Sequence, residues 1–431
     1  MKTKKVYQQA VATCASLILF STLAPNTSYG DARVLNYDKN GRIIGSKSFT
    51  KDVPKAVTPQ SKSRTSPFSR GEPSKFNPDT AVEPGELVLS NPPRGYENKI
   101  RSAGFQIIEQ VRLRNLGLSI ARIKSPDGMS RDDAIRAIGR ILPGATVDAN
   151  ILFDPSQGPA SGSSPRAKAG WQNLAPNCGQ GLTIGQIDSG VDLGHPALQG
   201  RDIVYKAFTK PGRQPAAPDH GTSIAGVLVG NPKWGGLMPG AKLYAANMFE
   251  INEKGKTVGS AVGLIRAVDW MISQKVDVVN LSIAGGDNRI VRQAFDIAKK
   301  NNLLLIAAVG NWGRSDKPAF PAAYDHVIGV TAIKNGGLVY AHANSGNYVD
   351  FAEPGVQIYV ATPGGGGKEE SGTSFAVPYV TVMGAILANA GKVVTAESLR
   401  TILKGATTDL GKPGKDNIFG YGLIRARPIC K

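Results

Sequence analysis

From residue 182 onward, short apolar runs without polar alternation recur at 182–187, 242–248, 276–283 and 303–309. Runs of this kind are what strands covered on both faces look like. Between and after them, 224–229, 258–273 and 290–301 place apolar residues at helical spacing. Strand and helix alternating in this way predict an α/β domain built on a mostly parallel sheet. Sites in such sheets gather beyond the carboxyl ends of the strands. Residues 83–154 have another texture: strands at 86–90, 105–113, 118–123 and 145–153, with helices at 95–103 and 131–141. Ala134, Ile135, Ile138 and Ile141 give the second helix one apolar face. The order β-α-β-β-α-β is that of a small α+β ferredoxin-like unit, which by itself carries no function.

The rest of the chain has little apolar period. Residues 31–82 are rich in Ser, Pro and Lys and read as a flexible basic linker. A second joint covers 155–170, where Gly158-Pro159-Ala160-Ser161-Gly162 follows Gln157. At the N-terminus Lys2, Lys4 and Lys5 precede an apolar run at 11–23, with Ser28 and Gly30 before Asp31. This predicts a signal peptide over 1–30 and an exported protein, secreted or periplasmic. A membrane span needs about 20 apolar residues, so no stable membrane insertion is expected; a retained anchor is the alternative.

With 431 residues there is room for a catalytic domain over 171–431 beside the smaller unit. The net charge is +18, and it is spread: 24 basic and 14 acidic residues lie up to Arg166, 27 and 19 beyond it. No basic face with interleaved aromatics appears, so no nucleic-acid partner is expected. Of three cysteines, Cys14 would leave with the signal. Cys178 and Cys430 would close a loop of about 250 residues if bridged; two separate thiols are the alternative.

The candidate chemistry is that of a serine nucleophile. Gly372-Thr373-Ser374-Phe375-Ala376-Val377-Pro378 carries a serine into the start of an apolar helix expected over 374–390, where the helix field favours developing negative charge. A serine hydroxyl still needs a base. His220, opening a helix in Asp219-His220-Gly221-Thr222-Ser223, is the candidate, and Asp188, at the end of the 182–187 strand, would orient it. Asn311, at the tip of the 303–309 strand, is positioned to give a side-chain N–H to an oxyanion.

Asp188-Ser189-Gly190-Val191-Asp192 with His195-Pro196, His220-Gly221-Thr222, Gly310-Asn311 and the Ser374 block resemble, in order, the signature blocks of subtilisin-like serine proteases. The resemblance implies a subtilisin-like three-layer fold, a triad of Asp188, His220 and Ser374, and Asn311 as oxyanion donor. It implies that Ser282, Ile283, Ala284 and Gly285 form the edge strand that pairs with substrate and lines the pocket, with Gly310 beside them. Residues 83–154 would then be a propeptide acting in cis, cut away within 155–170. An exported serine endopeptidase made as a zymogen follows, monomeric, with protein or peptide substrates and no cofactor or metal in the chemistry. Structural calcium stays open; the loop 230–239 is short where relatives carry a calcium-binding loop. Ala284 stands where a pocket glycine is usual, narrowing the pocket, and Trp312 after Asn311 reshapes it. His195 and Asp192 are expected to be structural. Two other classes compete: a propeptide-locked binding protein without activity, and a hydrolase of small esters. The complete residue set argues against the first, and the edge strand against the second.

Overall fold

The computed structural model describes residues 77–155, 158–160, 163–171, 174–389 and 394–429, together with three short upstream strands. The signal peptide expected over 1–30 lies mostly outside the described residues, as does Cys430. The upstream strands are β1 (Leu17–Phe20), β2 (Ala32–Tyr37) and β3 (Ile43–Phe49). Strands β2 and β3 pair antiparallel, so the expected linker is not uniformly unpaired.

The N-terminal unit comprises β4 (Val82–Ser90), α1 (Tyr96–Ser102), β5 (Gln106–Leu113), β6 (Leu118–Lys124), α2 (Arg131–Ile141) and β7 (Thr146–Pro155). All six elements fall where the hydrophobic pattern predicts them. The sheet order is β7-β4-β6-β5, antiparallel throughout. Ser130 caps α2 by accepting from the Asp133 N–H, a favoured device at a helix start. The strand period of two then divides the unit. Leu87 and Leu89 pack with Ile100, Ile123 and Ile138 under the unit's own helices. Val88 and Ile120 face the opposite way, into a core shared with the rest of the chain.

Beyond β8 (Gly158–Ala160) and α3 (Pro165–Ala169) the large domain begins with β9 (Thr183–Asp188), β10 (Ile203–Ala207), α4 (Asp219–Val229) and β11 (Lys242–Asn247). Next come β12 (Phe249–Ile251), β13 (Thr257–Ser260), α5 (Ala261–Ser273), β14 (Val278–Leu281), β15 (Ile283–Gly285) and α6 (Arg289–Lys300). The chain continues through β16 (Leu304–Ala308), β17 (Val327–Ile333), β18 (Phe351–Pro354), β19 (Ile358–Thr362) and β20 (Gly366–Ser371). It closes with α7 (Val377–Asn389), α8 (Ala396–Lys404), β21 (Thr407–Thr408), β22 (Leu423–Ile424) and β23 (Pro428–Ile429).

The main sheet runs β10-β11-β9-β14-β16-β17-β18-β22-β21, parallel except for the β21–β22 pair at its edge. Its two faces carry alternate residues of the same strands. Ile184, Val278, Ile306 and Ile328 pack against α4 and α7, while Ile187, Val279, Leu305 and Val327 pack against α5 and α6. This is the mostly parallel α/β sheet that the apolar runs predict, in the three-layer arrangement that the resemblance implies.

Three boundaries differ from the pattern. The run 276–283 is two strands, because β15 leaves the parallel sheet and pairs antiparallel with β7. Residues 258–260, expected as the start of a helix, instead belong to β13, which borders β7 on its other side. The helix expected from Ser374 begins at Val377, after a tight turn over Thr373–Phe375; Pro378 sits in its first turn, where a missing N–H is tolerated.

Candidate active site

Asp188 ends β9 in the middle of the sheet, and His220 stands in the first turn of α4. His220 Nδ1 lies 2.7 Å from Asp188 Oδ1, which also accepts the Ser189 N–H at 2.6 Å. With the carboxylate ionised, Nδ1 is the donor and Nε2 is left as the acceptor. The close approach depends on Gly221. A Cβ there would lie 2.3 Å from the Gly190 carbonyl and 2.4 Å from that of Ser189. Gln186 fixes the same turn by donating from Nε2 to the Gly221 carbonyl at 2.8 Å.

Ser374 lies in the turn between β20 and α7, fully buried. Its hydroxyl donates to the Ser282 carbonyl at 3.2 Å, and the Ser282 hydroxyl donates back to the Ser374 carbonyl at 3.0 Å. His220 Nε2 is buried without a hydrogen-bond partner. Asn311 closes the group: its Oδ1 accepts from the Thr373 N–H at 3.0 Å and the Thr373 hydroxyl at 2.9 Å. Those two contacts fix the amide and leave Nδ2 buried with no acceptor. Buried polar atoms are nearly always paired. The residues bearing this unused acceptor and unused donor adjoin the two neighbours of Ser374: the His220 ring centroid is 5.8 Å from that of Phe375, and Asn311 holds Thr373, an arrangement suited to taking a hydroxyl proton and holding a developing oxyanion.

The edge strand expected to bind substrate is occupied. In β15, Ile283 pairs with Pro155, Ala284 with Asp154 and Gly285 with Phe153. On the far side of β7, Gly259 pairs with Phe153 and Ser260 with Leu152. Phe153 needs the glycine: a Cβ on Gly285 would lie 2.5 Å from its ring. Downstream, β8 pairs antiparallel with β20, Gly158 opposite Ser371, Pro159 opposite Glu370 and Ala160 opposite Glu369. The chain is thus strand-paired on both sides of residues 156 and 157. Beside Gly310, Ala284, Trp312 and Ala319 form a small buried cluster with Tyr348 against it. A Cβ on Gly310 would lie 3.2 Å from that of Ala319 and 3.4 Å from that of Ala284, which leaves little room there.

His195 and Asp192 hold loops. His195 Nε2 is 2.8 Å from the Gly366 carbonyl, and its Nδ1 accepts the Ala197 N–H at 2.9 Å. Asp192 accepts the N–H groups of Gly194 and Gly364. Among the described residues no group of three or more His, Cys, Asp or Glu comes together as a metal cluster, and no helix is long and apolar enough to cross a membrane. Cys178 is disulfide-bonded.

One part of the site escapes the sequence reading. The Thr381 hydroxyl donates to Asn280 Oδ1 at 3.3 Å, Asn280 Nδ2 donates to the Ser282 hydroxyl at 2.8 Å, and Ser282 donates to the Ser374 carbonyl. This buried chain ties α7, β14, the edge strand and the candidate nucleophile together. Its only signal in the sequence is an amide inside the apolar run Val278-Val279-Asn280-Leu281, a polar group that must find partners once buried.

Comparison with known proteins gives the family and the fold. Residues 179–422 match the subtilase family. The minor extracellular protease Epr of Bacillus subtilis strain 168 is 31% identical over 258 residues, 57% of this chain and 38% of Epr. Subtilisin amylosacchariticus, from Bacillus subtilis subsp. amylosacchariticus, is 29% identical over 260 residues, 59% of this chain and 66% of that protein. The chain therefore spans less than two thirds of either relative. Fervidolysin from Fervidobacterium pennivorans, a keratinolytic enzyme related to subtilisin, superposes with a TM-score of 0.66 at 20% identity, over 80% of this chain and 60% of that one. At that identity the likeness is one of fold, and the fold is subtilisin-like. Because the family match spans more than half of its residues, this chain belongs to the subtilase family.

Proposed function

We propose that the protein is an exported serine endopeptidase made as a zymogen, with Asp188, His220 and Ser374 as its triad. The observation that carries the reading is the pair of unused buried atoms, His220 Nε2 and Asn311 Nδ2, on residues that adjoin Phe375 and Thr373, the neighbours of Ser374. In the proposed reaction the Ser374 hydroxyl turns from the Ser282 carbonyl to His220 Nε2. The ring takes the proton as the oxygen attacks the substrate carbonyl, and Asp188 stabilises the imidazolium. Asn311 Nδ2 and the Ser374 N–H hold the oxyanion. His220 then protonates the leaving amine, and water, deprotonated by the same ring, releases the acyl group. The steps run on side chains and backbone alone.

The N-terminal unit is read as a propeptide. Supporting this, β7 lies on the edge strand as a substrate would, and β8 continues the chain along β20. Pairing up to Pro155 and again from Gly158 supports a cut between residues 155 and 158, inside the joint over 155–170. The filled space beside Gly310 favours a small side chain before the scissile bond. Extended pairing on both sides supports peptides over small esters as substrates.

The reading is tested with a fluorophosphonate, which labels a serine only when its hydroxyl is activated. Processed wild-type protein is expected to take one label, on Ser374, and Ser374→Ala and His220→Ala none. Failure of the processed wild type to label would overturn the enzyme reading and favour an inactive binding scaffold.

A further inference from the structure

The contact between the N-terminal unit and the large domain is charged in one direction. Glu83 meets Lys210 at 3.0 Å and Arg213 at 3.6 Å, and Glu86 meets Lys210 at 3.7 Å. Glu109 meets Arg266 at 3.1 Å, Asp148 meets Arg289 at 3.7 Å, and Asp79 pairs with Lys317. Among these pairs every carboxylate belongs to residues 79–148 and every cation to the large domain. Asp269 is the one reversal, accepting the N–H groups of Asn115 and Leu116 and the Asn115 amide.

The cations differ in what they would keep if the unit left. Lys210 retains Glu250 and Arg213 retains Glu253 within the large domain. Arg266 and Arg289 have no other ion-pair partner among the described residues. Arg289 also belongs to a built seat. Asp148 Oδ2 accepts the Arg289 backbone N–H at 2.9 Å, at the first turn of α6, where the helix field favours an anion. Asn288, itself buried, donates from Nδ2 to the Ala149 carbonyl at 2.9 Å. Its Oδ1 is held by the N–H groups of Ile290 and Val291, so the donor cannot turn away. This seat grips a strand by one carbonyl and one carboxylate, and the carboxylate is five residues before Phe153, the residue opposite Gly285.

We propose that, once residues 77–155 are gone, Asn288 and Arg289 form an extended substrate site that selects a carboxylate at the place of Asp148. The site rests on the endopeptidase reading. Substrate strands entering between β13 and β15 reach it simply by continuing upstream, as β7 does. The enzyme therefore prefers polypeptides with an acidic residue well ahead of the bond it cuts, a preference that peptides covering only the cleft do not reveal.

The test uses the full-length chain after processing and three peptides with this protein's own sequence. Two span residues 144–162 and carry either Asp or Lys at position 148; the third starts at 151. At low ionic strength the Asp peptide is expected to show about tenfold higher kcat/KM than the Lys peptide. The ratio should fall toward one near 1 M salt, where the Debye length is only about 3 Å. Arg289→Glu should invert the preference. Equal kcat/KM for the Asp and Lys peptides at low salt, with the short peptide hydrolysed, overturns the proposal and leaves the peptidase reading standing. Hydrolysis of none of the three overturns that reading and the site with it.

Discussion

Helices α4 and α7 cover one face of the parallel sheet, α5 and α6 the other, and the two layers meet the rest of the chain on different terms. Every residue of α7 from Val377 to Leu387 is buried, and its neighbours are strands and α4. Apart from the hydrogen-bonded hydroxyls of Tyr379 and Thr381, its contacts are apolar on all sides, as in a helix with no face reserved for water. The outer side of α5 and α6 instead receives the N-terminal unit: Val88, Ile120 and Phe153 pack at its centre, with Glu109–Arg266 and Asp148–Arg289 beside them. A permanent core tolerates no uncompensated charge, whereas a surface that is later uncovered must be acceptable to water. On the proposed reading the first layer carries the reaction and the second carries its inhibitor.

Four measurements break or sharpen that contrast. Ile306→Ala, in the permanent layer, should cost about 2–5 kcal/mol of stability. Urea midpoints should fall alike in the processed enzyme and in unprocessed Ser374→Ala. A drop confined to the unprocessed chain would erase the distinction between the layers. Asn311→Asp keeps the acceptor for Thr373 and removes the amide donor. It should lower kcat by about 10²–10³, or about 2.7–4 kcal/mol, the loss known for such a donor in a subtilisin. KM should change far less, and steady-state kinetics on one peptide separates the two.

At the removable layer the effects should be smaller. Arg266→Ala in unprocessed Ser374→Ala should cost no more than about 1 kcal/mol, and the loss should shrink with added salt. A salt-independent loss would mean the arginine acts by packing. The smallest effect concerns Glu353, buried in β18, whose carboxyl burial holds well above the ordinary range while the Ile424 N–H partly offsets this. A carboxyl raised on folding binds its proton more tightly in the folded chain. Its contribution is complete below the ordinary carboxylate range and is lost as pH climbs toward the raised value. Glu353→Gln should therefore leave stability near pH 4 almost unchanged and flatten its decline above that, read from melting temperatures across the pH series.

The sequence exposes the site better than the contacts around it. Asp188, His220, Asn311 and Ser374 each sit at a strand end or helix start that the local pattern marks, so their elements can be read one at a time. Ser282 is harder. The run 276–283 looks continuous, yet it breaks there because β15 turns to pair with β7, more than a hundred residues away in the chain. Strand β17 is hidden by Gly329, which the fold needs because a Cβ would lie 2.2 Å from the Tyr348 carbonyl. The chain from Thr381 through Asn280 to Ser374 and the ion pairs of Lys210 join residues distant in sequence, and no local period announces such partners.

The account stands most directly on the intact masses of the purified wild type and Ser374→Ala. It predicts that the wild type loses everything up to a bond between residues 155 and 158, while the variant keeps the N-terminal unit. Two chains that remain joined through that bond, or two that are cut alike, would contradict it.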